Sequence, residues 1–289
     1  MKHTYIVLIL LFILSCKDKE TAKKKEIEAF STIPTLFTLL NQEESGFYFM
    51  NEVNQSEAFN IMTYEYFYNG GGVGIGDINN DGLPDIFMTG NTFGGRLYLN
   101  KGNLEFEQIS GSANIFTRGF TTDVSFVDIN DDGYQDIYLC KSMAGEIEYR
   151  ENLLYINNQN NTFTNKAKEY GIADAGFSNQ SVFFDYDNDG DLDLYVMNHR
   201  ADFDNAHSIY DTKSSKGNFE PGTVFWKEEY SDKLYRNNGN NTFTDVSKKA
   251  GIINNDFSLS AVPSDLNGDG FVDLYVANDF SSKDHAYIN

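Results

Sequence analysis

A nine-residue pattern of oxygen-bearing side chains, repeated four times, constrains this 289-residue chain more than any other feature. The first two copies read Asp77-Ile-Asn79-Asn-Asp81-Gly82-Leu83-Pro-Asp85 and Asp128-Ile-Asn130-Asp-Asp132-Gly133-Tyr134-Gln-Asp136. The other two are Asp185-Tyr-Asp187-Asn-Asp189-Gly190-Asp191-Leu-Asp193 and Asp265-Leu-Asn267-Gly-Asp269-Gly270-Phe271-Val-Asp273. Carboxylate or amide oxygens at positions 1, 3, 5 and 9, with the backbone carbonyl at 7, can wrap a hard cation at about 2.3–2.6 Å, and Gly at position 6 permits the sharp turn. An all-oxygen donor set favours Ca2+. Zinc would call for His or Cys, which none of the four copies contains, and Mg2+ rarely accepts a cage made wholly of protein. The third copy carries Asp187 where the others have Asn, and the extra carboxylate predicts the tightest site.

An EF-hand shares the first half of this pattern but needs a bidentate Glu at position 12. Met88, Leu139, Val196 and Val276 stand there instead. The residues after each loop are β-branched and aromatic, as in Asp193-Leu-Tyr-Val, and read as strands rather than helices. Short apolar stretches at 73–76, 124–127 and 181–184 precede three of the loops, which places each loop in a β-hairpin. A further strand follows at 96–100, 153–157 and 233–237, and another at 105–109, 162–164 and 242–244. Two repeats then show a short helical stretch, at 166–172 and 247–252. The first aspartates, 77, 128, 185 and 265, lie 51, 57 and 80 residues apart, so the last interval carries an insertion over 199–230. Four short strands per repeat of this length are the pattern of propeller blades, and the period excludes a nonapeptide β-helix. The glycine-rich run 70–76 is no dinucleotide loop, because it leads into an acidic turn that would repel phosphate.

Acidic residues outnumber basic ones 43 to 22, a net charge of −21 that argues against nucleic acid as a partner. Disorder is excluded by 24 Phe and 18 Tyr, which supply ample apolar area for a core. The two cysteines, Cys16 and Cys140, cannot form a disulfide scaffold, and Cys140 follows a strand as a core thiol would. Residues 1–15 read as an export signal: Lys2 precedes an apolar stretch over 5–14 that is too short to span a bilayer. Ile13-Leu14-Ser15-Cys16 resembles a bacterial lipobox, so Cys16 is expected to become the lipidated first residue, followed by a polar tether over 16–33. The protein is then anchored at the outer membrane or cell surface through lipid.

With its loops and strands together, the chain resembles the FG-GAP/VCBS-repeat β-propellers, the fold family that includes the integrin α-subunit head. Residues 60–85, with Tyr64-Glu-Tyr-Phe-Tyr-Asn-Gly-Gly-Gly, are similar to the opening blade of Bacteroidota lipoproteins related to cartilage acidic proteins. The resemblance implies an all-β propeller over 34–289, Ca2+ in the four loops, and typically seven blades. The chain stops inside a blade at Asn289, whose segment 284–289 aligns with 233–237, so the ring is expected to be the N-terminal part of a longer one with its last blade truncated. The expected function is a calcium-binding module for an extracellular protein or glycan. The alternative is a carbohydrate-active enzyme, since some polysaccharide lyases use Ca-rich propellers. No nucleophile elbow or phosphate loop occurs in the sequence, and no catalytic set is assigned. The candidate ligand contacts are His199, Arg200, Phe225 and Trp226, because the insertion is where the repeat is broken and holds the only Trp.

Overall fold

The computed structural model describes residues 36–143, 147–201, 228–280 and 282–289. Backbone contacts divide the chain into Met1–Glu44 and Ser45–Asn289. In the first unit the described residues, 36–44, are a short apolar stretch, with Leu36, Phe37 and Leu39 exposed, and the start of the helical turn Gln42–Ser45, where Asn41 Oδ1 accepts the Glu43 N–H at 2.9 Å.

The second unit is all-β, built from antiparallel sheets of propeller-blade type. The first blade is β1 (Val73–Gly76), β2 (Asp85–Met88), β3 (Arg96–Asn100) and β4 (Phe106–Gln108), hydrogen-bonded in that order. The second is β5 (Phe120–Val127), β6 (Asp136–Ser142), β7 (Leu153–Asn157) and β8 (Phe163–Asn165). The third repeats the order with β9 (Ser178–Phe184), β10 (Asp193–Asn198), β11 (Lys233–Asn237) and β12 (Phe243–Asp245). The fourth contains β13 (Ser258–Ser264), β14 (Asp273–Asn278) and β15 (His285–Tyr287). First strands of successive blades pack side by side, β1 with β5, β5 with β9 and β9 with β13.

Each blade sandwiches apolar side chains against the next. Gly74 and Gly76 of β1 face the ring of Phe126 so closely that a Cβ at either would come within 2.8 Å of it, and this is why the first strand of the first blade is glycine-rich. Further along, Phe87, Tyr138 and Tyr195 occupy one register position in β2, β6 and β10, each opposite the residue three before the loop's first Asp. All three are fully buried, whereas Tyr275 at the same position of β14 is 43% exposed, because no further sheet covers it among the described residues. Val73 and Ile75 are likewise exposed on the outer face of β1.

The stretch 247–252, expected to be helical like 166–172, forms a single turn instead. Ala167–Tyr170 is a helix closed by Gly171 at φ 79°, with Ile172 N–H on the Ala167 carbonyl at 3.0 Å. In 247–252 the equivalent bond from Ile252 to Ser247 forms at 2.9 Å, and Ser247 turns its hydroxyl onto Asp245. Strand β13 has no apolar run in the sequence; its Ser and Pro263 sit on a sheet whose outer face is open.

The residues before the first blade cross the end of the blades opposite the nine-residue loops. Tyr64, Tyr66 and Phe67 are buried there with Phe120, Phe177, Tyr230 and Phe257. Phe120, Phe177 and Phe257 each lie eight residues before the first Asp of their loop, so the repeat supplies the ring positions that this segment packs on.

Candidate metal centres

The nine-residue loops join the first and second strands of the four blades, and their side chains organise the turn before any ion is considered. In the first loop, Asp77 Oδ1 accepts the N–H of Asp81 at 3.2 Å and Oδ2 that of Gly82 at 2.7 Å. Asp128 does the same with Asp132 and Gly133, Asp185 with Asp189 and Gly190, and Asp265 with Asp269 and Gly270, all between 2.8 and 3.2 Å. The aspartate at position 5 then accepts the N–H of position 7, at 2.8 Å for Leu83, 2.9 Å for Tyr134, 3.0 Å for Asp191 and 2.9 Å for Phe271. This curls the backbone so that the position 7 carbonyl and the side chains at 1, 3 and 5 belong to one concave turn. Position 6 has φ between 83° and 94° in all four loops with nothing within 4 Å of a would-be Cβ, so the left-handed backbone, not crowding, selects Gly.

The aspartate at position 9 closes the base. Asp85, Asp136, Asp193 and Asp273 are all buried. One oxygen of each accepts the N–H at position 2 of its own loop, from Ile78, Ile129, Tyr186 and Leu266. The other accepts the backbone N–H of Asn100, Asn157 or Asn237 on the third strand, or of Asn289 two residues beyond it, at 2.7 to 2.9 Å. Burial pushes the Asp136 carboxyl up to about 7 and Asp193 to about 6, and it raises Asp85 as well, with the other loop aspartates adding repulsion. Asp85, Asp136 and Asp193 held this way are strained towards protonation unless a cation joins them.

Loops one, two and four relieve part of that repulsion internally, because the position 3 amide donates to the position 5 carboxylate: Asn79 to Asp81 at 3.0 Å, Asn130 to Asp132 at 3.1 Å and Asn267 to Asp269 at 2.8 Å. Asp187 of the third loop has no N–H to give. Its Oδ1 is buried without a hydrogen-bond partner among the described residues, and burial together with Asp189 and Asp185 raises its pKa. Ligand atoms of Asp185, Asp187 and Asp193 lie within 4.8 Å of one another. An orphaned carboxylate oxygen facing two further acids is a donor set that fits a hard divalent cation.

The other sequence candidates fall elsewhere. Phe225 and Trp226 lie outside the described residues. His199 and Arg200 follow β10 at the end opposite the loops and are 0% and 6% exposed. The His199 N–H bonds the Phe177 carbonyl at 3.0 Å, and its ring stands edge-on to Tyr66 at 4.6 Å and to Phe177 at 5.8 Å. Burial drops its pKa to about 3, and both ring nitrogens are without hydrogen-bond partners among the described residues. Histidine 199 is therefore packing for the aromatic cluster. Cys140 is a buried free thiol with its pKa raised by burial. Sequence reasoning missed the role of Asn100, Asn157, Asn237 and Asn289, whose signal is the recurring Leu/Ala-Tyr-x-Asn on the third strand.

The sequence matches the FG-GAP-like repeat family over residues 64–139, 144–196 and 222–276, together more than half of the chain. Each matched stretch contains at least one of the nine-residue loops. No protein of curated function matches the sequence significantly. Among solved structures, the chain is similar to a lectin of Agrocybe aegerita described as specifically recognising non-reducing terminal N-acetylglucosamine, at 19% identity and a TM-score of 0.39. That alignment covers 71% of this chain and 46% of the lectin's, so the chain spans less than half the length of this neighbour.

Proposed function

Because the chain belongs to the FG-GAP-like repeat family, we propose that it is a calcium-binding propeller module, held at the outer membrane or cell surface by a lipid on Cys16, which binds an extracellular protein or glycan. The observation that carries the calcium assignment is the third loop, where Asp187 Oδ1 is buried without a donor beside Asp185 and Asp193. When bound, Ca2+ would neutralise these acids. Asp185, Asp187, Asp189 and Asp193 would hold it with the carbonyl of Asp191, and the equivalent residues would do so in the other loops. The chain's own part is to pre-shape each turn through the position 1 and position 5 carboxylates and to clamp it to the third strand through position 9.

Support for a binding role comes from the end of the blades away from the loops, where Met62, Tyr68, Phe93, Phe116 and Phe280 are all more than half exposed. Exposed aromatic side chains on a rigid scaffold suit stacking on sugars or on partner side chains. Among the described residues no helix is long and apolar enough to cross a membrane, and attachment in this proposal rests on Cys16. Melting in Ca2+ and in chelator tests the calcium part: the midpoint should rise with Ca2+ and Asp189→Ala should lose part of that gain, whereas equal midpoints would overturn it. Metabolic labelling with a fatty acid should mark the wild type and not Cys16→Ala. Ca-loaded protein on glycan and protein arrays should lose signal on combined Tyr68→Ser and Phe93→Ser at unchanged melting; retained signal would place the binding surface elsewhere.

A further inference from the structure

The four loops differ in how they touch one another. Asn80, position 4 of the first loop, has φ 59° and donates its side-chain amide to the carbonyl of Gly133, position 6 of the second loop, at 2.9 Å. Asn188 of the third loop, φ 57°, donates in the same way to Gly270 of the fourth at 3.1 Å. Between the second and third loops the donor position is Asp131, with the same backbone, φ 54°, but a side chain that has no N–H to donate. Among the described residues no side chain of the second loop reaches the Gly190 carbonyl.

An independent contact divides the loops the same way. The third-strand Asn157 of blade two reaches back 2.7 Å to the carbonyl of Ile78, position 2 of the first loop. Asn289 of blade four reaches the carbonyl of Tyr186, position 2 of the third loop. Their equivalent in blade three, Asn237, donates to Leu192 of its own blade at 3.2 Å and, among the described residues, makes no bond to the second loop. Loop one is thus bonded twice to blade two and loop three twice to blade four, whereas loop two is bonded to blade three at neither position.

The joined atoms matter because of where they lie. The Gly133 carbonyl and the Tyr134 N–H are the two ends of one peptide unit, held by Asn80 on one side and by Asp132 on the other. Gly270 and Phe271 form the same unit between Asn188 and Asp269. The next carbonyl along the chain is the position 7 ligand. Asn80 and Asn188 themselves sit between the position 3 and position 5 ligands of the preceding loop, so an ion there fixes the residue that orients its neighbour's peptide.

We propose that the four cation loops work as two coupled pairs, one with two and three with four, and that Asn80 and Asn188 are the positioning residues that carry the coupling. The inference rests on the calcium assignment above. Ordering one loop removes part of the ordering cost of the other, so the second ion of each pair binds more tightly, by about fivefold at the low end of measured couplings.

Calorimetric titration of the calcium-stripped full chain tests this. Wild type should take up ions with a Hill coefficient above about 1. Asn80→Gly together with Asn188→Gly should bind the same number of ions with that coefficient reduced to about 1, since Gly keeps the left-handed backbone, as Gly268 does in the fourth loop. Asp131→Asn supplies the missing donor and should steepen uptake beyond wild type. Independent uptake by wild type, or an unchanged Hill coefficient in the double variant, would overturn the pairing while leaving calcium binding intact. No uptake by wild type would overturn the calcium assignment and the pairing with it.

Discussion

Replacing Asn157 by Ala isolates what one side chain contributes to holding two blades together. The side chain is buried, and it donates to the Ile78 carbonyl at 2.7 Å and the Gln135 carbonyl at 3.1 Å while its oxygen accepts the Gln159 N–H at 2.8 Å. Its backbone N–H, bonded to Asp136 at 2.7 Å, survives the change. Each lost bond is worth about 1 kcal/mol, and the carbonyl of the fully buried Ile78 loses this donor, for a total of about 3 kcal/mol. The matched control is Asn237→Ala, which removes the bonds to Leu192 at 3.2 Å and from Gly239 at 3.1 Å but no bond between blades, for about 1–2 kcal/mol. Urea unfolding of both variants in chelator, with slopes compared to wild type, measures the difference directly. If Asn157→Ala costs no more than Asn237→Ala, the bond between blades contributes nothing and the reasoning fails.

Three further outcomes follow from the same geometry. In chelator, native Asp136 and Asp193 keep protons to about pH 7 and 6 while the unfolded chain releases them near 4, so stability should fall as pH rises from about 4 to 7, by up to about 1.4 kcal/mol per pH unit for each proton. Ca2+ should flatten that slope in melting scans across the window; a calcium-free protein that gains stability over the same range would contradict it. Asp187→Asn removes repulsion from Asp185 and Asp189, so it should raise the melting point of the calcium-free protein and weaken calcium binding, two opposite signs that a purely structural role would not give. Phe257→Ala empties a fully packed ring position, 4.7 Å from Phe280 and bridged to His199, and should cost about 3–5 kcal/mol by urea unfolding.

The loops were legible in the sequence because a hard cation and a tight turn impose the same spacing on Asp, Asn and Gly wherever they occur. The strands beside them were legible for a different reason: β2, β6, β10 and β14 carry continuous apolar residues, and in β6 and β10 these are buried on both faces between blades. Strand β13 was not, since Ser258, Ser260, Ser264 and Pro263 give no apolar run and its partner, β14, supplies the burial. The segment around Tyr64–Phe67 lies ahead of the first blade's strands, and its place across the blade ends is set by the rings it meets, Phe120, Phe177 and Phe257. The same applies to His199, which in the sequence is a polar residue opening an insertion and in the fold is walled by Tyr64, Tyr66 and Phe177. Asn157 could be seen as a repeated residue, but its partner Ile78 lies 79 positions away, beyond any local pattern.

Calcium stoichiometry tests the account most directly. Equilibrium dialysis of the stripped full chain against buffered Ca2+ should reach one ion for each nine-residue loop, four in all, and Asp189→Ala should lower the plateau by one ion while the protein stays folded. A chain that binds no Ca2+ at millimolar concentrations, or whose plateau is unchanged in Asp189→Ala, would contradict the assignment of these loops as cation sites.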